Sequence, residues 1–119
     1  MSVNRIGNGI VKAPFGPADI QTPTFASTIE LTIENSVTVV QLTVTAAVTF
    51  SLATITQGFA HNAGDTITFT LVDDGSASTV TWGTGLTAVA SALVASKTLN
   101  VTFIYDGANY VANSSIQID

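Results

Sequence analysis

Residues 97–111 read KTLNVTFIYDGANYV. Leu99, Val101, Phe103 and Tyr105 alternate with Thr98, Asn100, Thr102 and Ile104, a two-residue period that predicts a strand with one face on a core. Asp106-Gly107-Ala108-Asn109 then reverses the chain, since glycine reaches positive φ freely and Asp and Asn side chains bond nearby backbone. With Asp106 opposite Asn109, the register sets Tyr105 against Tyr110 and Phe103 against Ala112. Cross-strand aromatic pairs of this kind help fix register. A hairpin of this form closes an all-β domain.

The same signals recur upstream. Ile29, Leu31 and Ile33 alternate with threonine and Glu30, and Val40, Leu42 and Val44 share one face of a second strand. Val37 and Val39 fall in the opposite phase, which predicts a bulge near Val39-Val40. Val48, Phe50 and Leu52 form a third inner face, Ile67, Phe69 and Leu71 a fourth, and Val80 and Trp82 point inward from a return strand after Asp73-Asp74-Gly75-Ser76. Residues 87–96 fit a short strand, a loop or a helical turn equally well. The last residues are a mostly polar tail in which Ile116 and Ile118 suit a short edge strand. The expected fold is an all-β antiparallel β-sandwich or jelly roll of about eight short strands. Its expected core is Leu31, Leu42, Phe50, Phe69, Trp82, Val101, Phe103 and Tyr105.

Residues 1–27 differ from everything after them. They hold Pro14, Pro17 and Pro23, and they scatter Ile6, Ile10, Val11, Phe15, Ile20 and Phe25 without a period. Prolines at this spacing block a helix and favour extended backbone. The division predicted is an extended N-terminal arm over 1–27 and a β-sandwich domain over 28–119. The arm's scattered apolar residues are expected to meet neighbouring chains.

Composition narrows the function. The chain has 119 residues, no cysteine and a net charge of −5, and only 9% of its residues are charged. Arg5, Lys12 and Lys97 are its only Lys or Arg residues, too few to make nucleic acid an expected partner. No apolar run is long enough to span a bilayer, so no membrane partner is expected. Threonine, serine and asparagine supply most of the polar surface. A chain so poorly charged has few devices against self-association.

Chemistry is sparsely signalled. His61 is the single histidine and lies in a loop pattern without a nucleophile-elbow motif. Asp65, Asp73, Asp74 and Asp106 are the carboxylates considered for acid–base work or calcium. Three of them sit in glycine-containing turns, where Asp bonds local backbone, and the alternating Asp/Asn calcium-loop pattern is missing. Gly83-Thr84-Gly85 does not extend to a dinucleotide fingerprint. We therefore expect no catalytic residue, no cofactor, no metal and no enzyme activity.

Gly64 to Leu71, Thr79-Val80-Thr81-Trp82 and Val101 to Tyr110 together resemble a theme of tailed-phage virion β-domains of the capsid-decoration, head-fibre and tail-fibre types. These carry a Gly-Asp entry into a Thr-rich strand, a TVTW-like return and a VTFxYDGxxY-like hairpin. The resemblance covers under half of the chain, and the repetitive shaft of long fibres is missing. It implies a virion structural role, with a trimer favoured. The expected function is a capsid decoration protein on the virion surface. It would bind the major capsid protein or other virion subunits through Ile6, Ile10, Val11, Phe15, Ile20 and Phe25 of its arm and associate with itself. The alternative is a fibre-tip module that binds a host glycan through Trp82, Tyr105 and Tyr110, or a tail or neck component.

Overall fold

The computed structural model describes residues 18–53 and 62–118. They form ten strands and no helix: β1 Asp19–Gln21, β2 Thr28–Leu31, β3 Val37–Val44, β4 Val48–Leu52, β5 Thr66–Asp73, β6 Thr79–Trp82, β7 Leu86–Thr87, β8 Ser91–Ala92, β9 Thr98–Tyr105 and β10 Tyr110–Ile118. A six-stranded sheet runs β1-β3-β5-β9-β10-β7, and a four-stranded sheet runs β2-β4-β6-β8. The two-layer all-β sandwich expected from alternation is the fold.

Its pairing is not antiparallel throughout. The chain changes sheet at every connection from β1 to β9, and only β9 and β10 are consecutive strands of one sheet. From β1 to β6, each strand that returns to its own sheet after one crossing through the other arrives in the same direction as before, whereas β8 returns antiparallel to β6. Hence β1 pairs parallel with β3, β3 with β5, β2 with β4, and β4 with β6. The opposite sheet supplies the crossover that parallel neighbours require. Antiparallel pairing appears where β9 meets β5 and β10, and where β8 meets β6.

The interior is built from the alternating residues. Phe50 and Trp82, neighbours in the four-stranded sheet, face Phe69 and Phe103 of the six-stranded sheet. Ring centroids lie 4.9 Å apart for Phe50–Phe69, Phe69–Trp82 and Trp82–Phe103. The tilted and edge-on geometries are those aromatic quadrupoles prefer. Of the expected core, only Leu42 falls short of full burial and packs partly against it. The Asp106–Asn109 turn forms as read: the Asp106 amide donates to the Asn109 carbonyl at 3.0 Å, Gly107 has φ +105°, and Tyr105 pairs with Tyr110.

Two local expectations are corrected, and a third that was open is resolved. β3 pairs with β5 in unbroken register from Val37–Thr66 to Val44–Asp73, so there is no bulge at Val39-Val40, and Val37 and Val39 point outward. The register shift falls instead in β10 between Ala112 and Ser114. The supposed polar tail continues β10 to Ile118 along the whole of β9, because backbone pairing with β9 needs no apolar side chain. Residues 87–96 contain β8, the buried Leu93 and a turn, and no helical turn. Within 18–27, β1 joins the six-stranded sheet and Phe25 packs against the core.

Thr38, on the inner face of β3, is fully buried, and its hydroxyl has no hydrogen-bond partner among the described residues. A buried hydroxyl without a partner costs free energy that an isosteric methyl does not. Thr38→Val is expected to stabilise the fold by about 1 kcal/mol. Phe69→Ala, which empties the centre of the ring cluster, is expected to destabilise it by about 3–5 kcal/mol. Urea denaturation followed by Trp82 fluorescence measures both.

Candidate interaction surface

The residues singled out for chemistry divide into turn formers and core. Asp73 ends β5 and is buried, and its carboxylate accepts N–H groups from Gly75 (2.8 Å), Ala77 (3.0 Å), Ser78 (3.3 Å) and Ser96 (3.2 Å). Burial alone would raise its pKa, but the four backbone donors outweigh it and hold the carboxyl below the usual range. Ala77 and Ser96 are the two non-glycine residues at positive φ, 54° and 64°. Both present their amides to the same carboxylate oxygen, which offsets the steric cost of the left-handed region. Asp106 is an exposed counterpart: the amides of Asn109 and Ala108, each at 2.9 Å, lower its pKa. Asp65 is buried and takes the amide of Asn62 at 2.9 Å, and Asp74 takes that of Ser76 at 3.1 Å. These carboxylates are committed to backbone. Among the described residues, no three His, Asp or Glu side chains gather where a metal ion could sit. His61 lies outside the described residues.

The three rings considered for a glycan are in the core. Trp82 and Tyr105 are each 8% exposed and Tyr110 is 0%. Trp82 is covered by Phe50, Phe69 and Phe103, and its indole N–H reaches Ser91 Oγ at 3.3 Å. Tyr105 and Tyr110 pack on each other at 4.8 Å, and burial, with the nearby charge of Asp65, pushes the Tyr110 phenol well above its ordinary range. A sugar has no ring face to stack on at these residues. The turn after β6 is likewise structural. Gly85 has φ +84°, and a Cβ there would lie 2.9 Å from Leu52 Cδ1, so the glycine permits the turn to press against β4.

A cleft of about 470 Å³ opens beside that turn, lined by Glu30, Ser51, Leu52, Ala53, Thr84, Gly85, Ala108 and Asn109. It offers one carboxylate, two hydroxyls and an amide, with no aromatic wall. Such a lining can hydrogen-bond a polar group.

The arm residues are divided by the structure. Ile6, Ile10, Val11 and Phe15 lie outside the described residues. Ile20 is 60% exposed on the edge strand β1, whereas Phe25 is half-buried against the core. Ile20 pairs with Val39, and this points to a surface that sequence reasoning missed. Six large apolar side chains are exposed among the described residues, and four of them, Ile20, Val37, Val72 and Val111, lie on the outer face of the six-stranded sheet. The register lines Val37, Thr66, Ile104 and Val111 in one row across four strands. The signal was present in the sequence as the out-of-phase Val37 and Val39, which a bulge was invoked to explain.

No family model matches this chain, and no curated protein matches it.

Asp73 makes acid sensitivity predictable. Its folded pKa lies below the unfolded value of about 3.9, so its contribution to stability is present above that value and is lost as pH falls through the folded pKa. Asp73→Asn keeps the shape but removes the charge that four amides share. It is expected to lower the thermal midpoint at pH 7 and to flatten the loss of stability below about pH 4. Calorimetry across pH 2–7 on both proteins (roughly spanning the carboxylate range) reads both effects.

Proposed function

We propose that this protein is a structural subunit of a tailed-phage virion, of the capsid-decoration kind. It attaches to the major capsid protein through its N-terminal arm and associates with copies of itself. The observation that carries the reading is the outer face of the six-stranded sheet, which carries no charged side chain among its described residues and presents Ile20, Val37, Val39, Val72, Ile104 and Val111 among its threonines. Buried, backbone-committed carboxylates and core-packed aromatics also fit a subunit whose work is contact.

The arm has a physical route to its partner. Ala18 is exposed at the start of the edge strand β1, so the segment before it joins the domain at a sheet edge. Extended backbone carrying Ile6, Ile10, Val11 and Phe15 can add to a neighbour's sheet while its apolar side chains bury on that neighbour. At about 25 cal/mol per Å², burial of even ~300 Å² of apolar surface per copy is useful when many copies decorate one shell. The glycan-binding alternative needs an accessible ring, and Trp82, Tyr105 and Tyr110 supply none.

The structure sharpens the test. Asp19–Gln21 pair with β3 and Phe25 packs on the core, so an arm deletion that spares the domain ends at Pro17. Particles assembled with the full chain are expected to show it on the capsid surface by electron cryo-microscopy. The protein lacking residues 1–17 should keep its β-sheet circular dichroism and be missing from the particle. Undiminished occupancy by the truncated chain would overturn the arm's role, and a particle without the full chain would overturn the virion reading.

A further inference from the structure

We infer that the outer face of the six-stranded sheet is covered in solution by the same face of a second copy of this chain. The inference rests on the reading of the protein as an assembly subunit and names the surface through which copies meet.

The two outer faces of the sandwich differ in kind. The outward positions of the four-stranded sheet are Thr28, Glu30, Thr49, Ser51, Thr79 and Thr81, a polar set suited to water. The outward positions of the six-stranded sheet include Ile20, Val37, Val39, Val72, Ile104 and Val111. No Asp, Glu, Lys or Arg is among its described outward residues. Overall poverty of charge does not account for this, because both faces belong to one chain.

Four of the polar side chains on this face are partnered within the sheet. The Thr68 and Thr102 hydroxyls lie 3.2 Å apart, and the Thr70 hydroxyl donates to Asn100 Oδ1 at 3.0 Å. Covering groups that bond each other costs less than covering groups that bond only water. The surface is thus prepared for dry contact although it is rich in threonine.

Charge limits where two copies can meet. A copy of a chain with net charge −5 is repelled by its twin at most approaches, and the repulsion is least where the facing surfaces are neutral. The area is also adequate. Strands β3, β5, β9 and β10, about 26 Å long at eight residues and about 4.8 Å apart, span on the order of 500 Å² in projection. Side-chain relief and the flanking β1 bring the accessible surface toward the ~800 Å² per partner of a standard interface.

Sedimentation equilibrium of the full chain tests this without any particle. The wild type is expected to sediment as a dimer, because a face paired with its own copy closes at two subunits. Ile104→Lys and Val72→Lys, each placing an ammonium on the face, should weaken association at least about tenfold. Thr81→Lys on the opposite outer face should leave it unchanged. Trp82 fluorescence and circular dichroism establish that each variant is folded, and Val37→Lys replaces any that is not. A wild-type monomer, including one in which residues 1–17 cover the face, would overturn the inference. So would an oligomer that the face variants leave intact. Loss of particle binding by the arm-deleted protein is independent of either result, so the two readings fail separately.

Discussion

The carboxylate of Asp73 holds together the least regular part of the sandwich. A chain that changes sheet at nearly every connection must leave one ladder and enter another, and backbone amides at each crossing lose their strand partners. Between β5 and β6, the amides of Gly75, Ala77 and Ser78 find one acceptor in Asp73, and Ser96 reaches it from the turn before β9. A single buried side chain therefore ties two crossings that are distant in sequence. It also holds Ala77 and Ser96 in the left-handed region, which neither would adopt cheaply alone. Only an ionised carboxylate accepts so many donors in so small a space, which is why its pKa is lowered despite burial.

Strand positions, the inner faces and the closing hairpin were legible because they depend on a two-residue period and local turn chemistry. Leu99, Val101, Phe103 and Tyr105 are buried in the phase expected, and Asp106 faces Asn109. Which strands pair was not legible. Alternation records which side of a sheet is buried and is the same for a parallel and an antiparallel neighbour. Asp73-Asp74-Gly75-Ser76 carries the composition of a hairpin turn, yet it delivers the chain to the opposite sheet. Parallel strands usually betray themselves as continuous apolar runs buried on both faces. Here β3 and β5 expose one face, so that mark is missing. Nor could the reach of Asp73 to Ser96 be read from a chain that separates them by three strands.

The candidate surface was half legible. Low charge pointed toward association, but not toward a side of the molecule. Val37 and Val39 are the local clue, since their phase is opposite to that of Val40, Leu42 and Val44, and phase alone fits either a bulge or an apolar outer face. The unbroken β3–β5 register removes the bulge and leaves the valines as surface. For Trp82 and Tyr105 the core expectation, and not the alternative glycan role, is the one the structure bears out, and Tyr110 joins them. Aromatic residues near turns suggest a ligand platform, but their phase with Val80, Phe103 and Ala112 places them inward, and phase decides.

A neutral, partly apolar sheet face invites uncontrolled association unless the sheet edges are blunted, since an open edge pairs with any extended chain. Here the edge strands are short: β1 has three residues, β2 four, and β7 and β8 two each. β1 covers β3 at Thr38–Val40 and leaves Gln41–Val44 at the border, where β5 lies on the other side. At the other border β7 pairs only with Tyr110 and Val111 among the described residues, so the rest of β10, to Ile118, is an edge that the short strands do not cover. The broad face carries partnered threonines and scattered β-branched side chains instead of a continuous greasy strip. Contact through the face then depends on shape and register across several strands, which a second identical surface can match and a random one cannot.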